Sequence, residues 1–201
     1  MKLRHSPTSP FVRKVQALAF ETGLDKRIEM VATSTTDPAS GLSKENPLGK
    51  VPSFITDDGT ALYDSPVICE YLDSLHGGTK MFPAVGPQRW TALRRQALAD
   101  GIMDAGVLGR GESLRADGER SVSYLALQKQ KMANAVDALE KEAASFGNGI
   151  DIGLIAIACA LAYLDFRYAA DAWRNGHPDL AKWYDAFAQR PSMQRTAPPK
   201  A

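Results

Sequence analysis

Residues 46–65 read NPLGKVPSFITDDGTALYDS. The Val51-Pro52 step precedes a strand-like run from Ser53 to Thr56, and the turn at Asp58-Gly59 returns the chain through Ala61 to Tyr63. Asp64-Ser65-Pro66 then opens a helix. Pro52 cannot donate to a sheet ladder, so at the mouth of a strand it belongs at an edge or a tight bend. With the Val51-Pro52 peptide cis, the amide and carbonyl of Val51 face outward, ready to pair with an extended ligand. The stretch therefore reads as a ledge for a peptide-like molecule, built on a hairpin and a helix start.

Working outward, the first 75 residues alternate strand and helix signals. Lys2 to His5 predicts a short strand. Ser6-Pro7-Thr8-Ser9-Pro10 breaks it, with Ser9 as N-cap and Pro10 at the first helical position. That helix runs to about Thr22, with Val12, Val15, Leu18 and Ala19 on one face and Gly23 as terminator. Arg27 to Val31 predicts the second strand, giving a βαβ unit. Asp37 to Glu45 reads as irregular. The hairpin supplies strands three and four, and Pro66 to Leu75 a closing helix on Val67, Ile68, Tyr71 and Leu72. The order βαβ then ββα is the thioredoxin-type arrangement, assigned to residues 1–76.

Residues 77–87, rich in Gly and Pro, read as a linker, and 88–201 as an all-helical domain. One stripe there comprises Trp90, Leu93, Ala97, Gly101 and Ala105, and a second Val122, Leu125, Met132, Val136, Leu139 and Phe146. Gly101, Gly106, Gly109 and Gly111 each weaken a helix by up to about 1 kcal/mol. The helix is expected either to kink there or to be closely approached. Asp151 looks like the N-cap of a helix to about Phe166 that is apolar on every side and must be central. Leu180, Trp183, Tyr184 and Phe187 define a last amphipathic helix before Arg190-Pro191.

Composition narrows the function classes. The chain has 201 residues, 44% hydrophobic and 23% charged, with net charge +1, which offers no global basic field for nucleic acid. The apolar run Ile152 to Leu164 falls short of the roughly 20 residues that span a bilayer, and no secretory leader is expected. Cys69 and Cys159 sit in apolar helical patterns without CxxC spacing and read as buried reduced thiols of a cytoplasmic protein. His5, His76 and His177 share no metal-like spacing, so no metal is expected.

The segment SPTSPFVRKV, Ser6 to Val15, places a hydroxyl at a helix N-terminus directly after the first strand. Such an end presents unpaired N–H groups and about half a positive charge, and so can hold an anion. Ser9 alone could be no more than a cap; together with Pro52 and Asp64-Ser65 at one edge of the fold it reads as part of a site. SPTSPFVRKV, NPLGKVPSF and DSPVICEYL together resemble the glutathione-binding half of the glutathione S-transferase family, in order and spacing. The resemblance covers essentially the whole chain. LADGIMDAG (98–106) and IAIACALAYLDF (155–166) are similar to the bacterial YibF-type branch. It implies a thioredoxin-like N-terminal domain, an all-helical C-terminal domain, a homodimer, and a detoxifying transferase that uses glutathione as co-substrate with no permanently bound cofactor.

Carried over by position, the resemblance puts the family's catalytic hydroxyl on Ser9, with Thr8 as a nearby fallback. Val51, before Pro52, would pair through its backbone with the cysteinyl unit. Asp64 and Ser65 would hold the γ-glutamyl end, the carboxylate suiting Ser65 at a helix N-terminus and the ammonium suiting Asp64. Lys50 would meet the glycyl carboxylate or the peptide backbone, and Phe11 would flank the bound tripeptide. The second-substrate pocket, which the family places between the domains, would draw on Thr8, Phe11, Met103 and Val107, although such residues at this spacing are more often core. Asp151 with Leu154 departs from the family's Ser/Thr cap followed three residues later by aspartate.

A serine suffices for the chemistry. Lowering a thiol pKa from about 8.5 to about 6.5 needs roughly 2.7 kcal/mol of preference for the thiolate. A hydrogen bond to a charged group contributes about 1.5–3 kcal/mol, and a helix terminus about 0.3–1 kcal/mol. Ser9 would then donate to the thiolate rather than attack. The absence of cysteine at positions 8–12 argues against disulfide exchange, reductase or peroxidase chemistry, which need a protein thiolate. The rival to a transferase acting on a small electrophile is a module of the same fold that binds glutathione or a protein with little turnover.

Overall fold

A computed structural model describes residues 1–199. The chain divides into two compact units, one formed by residues 1–86 with the segment from Pro191 onward, the other by Pro87–Arg190.

In the first unit, strands β1 (Lys2–His5), β2 (Glu29–Ala32), β3 (Ser53–Ile55) and β4 (Ala61–Leu62) form one sheet in the order β2-β1-β3-β4. β1 pairs parallel with β2, while β1–β3 and β3–β4 are antiparallel. Helix α1 (Pro10–Glu21) connects the parallel pair, and α3 (Ser65–Ser74) follows the hairpin. This is the thioredoxin-like arrangement the pattern predicts. Ser9 caps α1, accepting from the Val12 N–H at 3.3 Å, and Gly23, at φ 70°, closes it in the left-handed region where a side chain would be strained.

Several local expectations shift. β2 begins at Glu29 because Asp25–Arg27 form a 3₁₀ turn. The segment read as irregular contains a short helix, α2 (Leu42–Glu45), whose Leu42 is buried in the unit's core. α1 is enclosed on more than its apolar face, with Arg13 and Lys14 buried as well. A final short helix, α8 (Pro191–Arg195), explains Arg13: its guanidinium donates to the Met193 carbonyl at 3.0 Å and to Thr196 Oγ1 at 3.4 Å. Buried Asp73 of α3 accepts from the backbone N–H groups of Met81 and Phe82 at 2.7 and 3.1 Å, which fastens the linker segment to this unit.

The second unit is helical: α4 (Gly86–Ser113), α5 (Val122–Glu142), α6 (Ile152–Arg167) and α7 (Pro178–Phe187). Every residue of α6 from Ile152 to Leu164 is buried, as its uniformly apolar sequence requires, and Asp151 Oδ1 caps it by accepting from the Leu154 N–H at 2.9 Å. The stripe expected on α4 is corrected. Trp90 is 68% exposed, Ala97 and Gly101 are exposed, and the enclosed face runs Ala92, Gln96, Ala99, Ile102, Gly106 and Gly109. On α5, Val122 is exposed and Gln128 takes a place in the buried row with Met132, Val136 and Leu139.

α4 does not break at its glycines; close approach accounts for Gly106 and Gly109, whereas Gly101 and Gly111 have open space around them. A Cβ on Gly106 would stand 2.9 Å from the Tyr163 ring, and one on Gly109 would stand 3.0 Å from the Tyr168 hydroxyl. Tyr168 donates that hydroxyl to the Gly106 carbonyl at 2.5 Å. Burial pushes its pKa up to about 12, aided by the nearby Tyr163 and Asp171.

Candidate functional site

The sheet register gathers the sequence-identified residues of the first unit. Arg4, near the C-terminal end of β1, pairs with Ser53 at the N-terminal end of β3, and Phe54 pairs with Leu62 of β4. Three chain segments therefore meet at one end of the sheet: the β1–α1 loop ending in Ser9, the Val51-Pro52 approach to β3, and the Tyr63–Ser65 exit from β4. Met103 and Val107 belong to the second unit, where Met103 is fully buried and Val107 is 41% exposed.

At the first segment, Ser9 is half-buried, and its Oγ accepts from Val12, so its own proton is available to a ligand. Pro10 has no N–H, and the Arg13 N–H is taken by the Ser9 carbonyl at 3.1 Å. The Phe11 N–H has no partner among the described residues, leaving an unpaired donor at the positive end of α1. Thr8, also half-buried, shares a 3.4 Å hydroxyl contact with Ser6. Burial pushes His5 below the ordinary histidine range, so it is neutral at pH 7 and adds no charge here.

At the second segment, the Val51-Pro52 peptide is cis. Neither the N–H nor the C=O of half-buried Val51 meets a hydrogen-bond partner among the described residues, so an open backbone donor and acceptor stand beside the sheet. Lys50 is exposed. Buried Asn46 shapes the approach: its Nδ2 donates to the Lys50 carbonyl at 2.8 Å, and its Oδ1 accepts from the Leu48 N–H at 3.0 Å. Asn46 is a positioning residue that composition alone does not single out; its one signal is an asparagine opening a Pro-Gly turn, where an Asx-type bond is common. Its neighbour Glu45 forms a two-pronged ion pair with Arg4 at 2.6 and 2.9 Å, tying α2 to β1.

At the third segment, the Tyr63-Asp64 peptide is also cis. Asp64 occupies the N-cap position of α3, yet its side chain makes no capping bond and is exposed. Ser65, one residue earlier than the expected helix start, is buried at the first turn. The acid is thus not consumed as a cap: an open carboxylate stands beside a helix N-terminus, a pairing that suits a ligand carrying both an ammonium and a carboxylate. Among the described residues no group of three or more His, Cys, Asp or Glu could hold a metal ion.

The glutathione S-transferase N-terminal domain profile matches residues 3–80, and the glutathione S-transferase C-terminal domain profile matches residues 90–186. The chain is 37% identical, over the full length of both proteins, to the uncharacterized GST-like protein YibF of Escherichia coli K12. It belongs to the glutathione S-transferase family. A glutathione transferase family member from Pseudomonas fluorescens Pf-5, solved with bound glutathione, superposes with TM-score 0.95 at 46% identity, covering 99% of each chain. A second structure from that strain, with bound S-(propanoic acid)-glutathione, gives TM-score 0.91 at 46% identity over 100% of each chain. Glutathione is thus a ligand of transferase-family structures similar to this chain along its whole length.

Proposed function

We propose that this glutathione S-transferase family member conjugates glutathione to a small electrophile, with Ser9 stabilising the thiolate. The observation that carries this reading is the unpaired Val51 backbone beside cis-Pro52, at the same end of the sheet as the Ser9 hydroxyl and the Phe11 N–H. An extended peptide that pairs with Val51 brings its central thiol toward α1. Asp64 and Ser65 take the γ-glutamyl ammonium and carboxylate, and Lys50 the glycyl carboxylate. Phe11 lies beside the thiol.

The thiol gives its proton to solvent, because the Ser9 O–H and the Phe11 N–H favour the anion. The thiolate then forms a carbon–sulfur bond with the electrophile, and the displaced electron pair leaves with a leaving group or takes up a proton. Ser9 is a donor throughout and is never alkylated. A relative with bound S-(propanoic acid)-glutathione, an S-substituted glutathione, supports a thioether product. Family membership further supports a cytoplasmic homodimer that serves detoxification.

The test is Ser9→Ala, with the pKa of the bound thiol followed by ultraviolet absorbance alongside turnover on an electrophile panel. Glutathione still bound, with a raised thiol pKa and depressed turnover, is the expected result. Unchanged pKa and unchanged turnover would overturn the role of Ser9. Tight glutathione binding with no turnover on any electrophile would favour a binding module.

A further inference from the structure

The helical unit holds a pocket of about 280 Å³, lined by residues of α4, α5 and the C-terminal end of α6 with the turn that follows. Its charge is unbalanced. Lys129 is satisfied by Asp171 at 2.7 Å, but Arg110 and Arg167 have no carboxylate within ion-pair distance among the described residues. Both guanidinium charges reach the buried Tyr163 hydroxyl, where they oppose the rise that burial causes. The Arg167 guanidinium is also held at 3.9 Å from the Phe166 ring. Two cations without a counter-ion around one concavity attract an anion.

A second observation points to a ligand independently of charge. Gln128 is 2% exposed and lines the same pocket, yet its Oε1 meets no hydrogen-bond donor. A buried amide oxygen without a partner costs free energy, which a bound molecule can return. The remaining wall includes Leu125, Met132 and the Tyr168 ring, which suits an apolar body rather than a bare ion.

We propose that this pocket binds small organic carboxylates, the carboxylate on Arg110 and Arg167 and the apolar body against Met132 and Tyr168. Arginine rather than lysine at both positions favours a planar oxyanion, which a guanidinium fork can meet with two hydrogen bonds. This binding site stands on the helical unit alone and does not depend on the transferase reading.

Calorimetry with 3-phenylpropanoate and its methyl ester on the full chain tests the binding site. The acid is expected to bind at least about tenfold more tightly than the ester, and Arg110→Ala to remove about tenfold of that advantage while leaving ester affinity unchanged. Arg167→Lys, which keeps the charge without the fork, is expected to retain part of it, with circular dichroism confirming that each variant is folded. Equal affinity for acid and ester, or undiminished acid binding in Arg110→Ala, would overturn the proposal.

Discussion

The Asn46 side chain donates to the Lys50 carbonyl at 2.8 Å and is itself 1% exposed, so one buried amide holds both ends of the turn that presents Val51. Removing it strips a donor from the Lys50 carbonyl and an acceptor from the Leu48 N–H at once. Asn46→Ala is therefore expected to destabilise the fold by about 1–3 kcal/mol in urea titration. It should also raise the KM for glutathione about tenfold, because the Val51 amide loses its fixed aim. A changed stability with unchanged KM would confine Asn46 to a structural role.

Thr8 and Ser9 are adjacent, but only Ser9 occupies the helix N-cap, where its oxygen is fixed by Val12. Thr8→Ala is expected to leave the bound thiol pKa within about 0.3 units of the parent, whereas Ser9→Ala raises it by about one unit or more, the equivalent of roughly 1.4 kcal/mol. Ser9→Thr keeps the donor and the cap and should restore most of the difference. The reverse ranking would move the thiolate donor to Thr8.

How much of this was legible depended on the type of signal. Pro52, Gly59, Gly23 and Asp151 each act through local backbone chemistry, and each stands where its residue type demands. The face of α4 was less legible: Trp90 and Leu93 drew the predicted stripe, but the enclosed surface is lined by Ala92, Gln96, Ala99 and Gly106, small or polar residues that carry no hydrophobic periodicity. What meets this face, Tyr163 and Tyr168 at Gly106 and Gly153 at Ala92, is distant in sequence. In the candidate site, motif and position single out Ser9 and Asp64-Ser65 as candidates. Asn46 could not be ranked, because its worth lies in burial and in a carbonyl four residues on.

Gly153 gives a sharper test of the close helix contact. A Cβ there would lie 2.7 Å from both the Ala92 carbonyl oxygen and the Arg95 Cβ. Alanine would gain up to about 1 kcal/mol in helix propensity, but the obstacle includes backbone, so α4 and α6 must separate. Overpacking of this kind costs about 1–3 kcal/mol, so the net effect of Gly153→Ala is a lower Tm in calorimetry. Gly101→Ala, with open space around its Cβ, should raise Tm instead. If both substitutions stabilised, the contact between α4 and α6 would not be tight at Gly153.

The Arg4–Glu45 pair makes stability depend on pH in a defined direction. Hydrogen bonding to Arg4 holds the Glu45 carboxyl below its ordinary value of 4.5, and the same bond raises Arg4. A carboxyl lowered in the folded state contributes stability that is fully present above the ordinary value and disappears as pH falls through the folded one. Both side chains are only about a quarter exposed or less, at 21% and 25%, so screening is incomplete. The pair is nonetheless near the surface, and a contribution of about 1 kcal/mol at pH 7 is the expected scale. Urea titrations of the parent and Glu45→Gln at pH 7 and below pH 4 measure it: the difference between the two proteins should be largest at pH 7 and shrink in acid. A gap that stays constant across this range would mean that the ionised charge of Glu45 does not stabilise the fold.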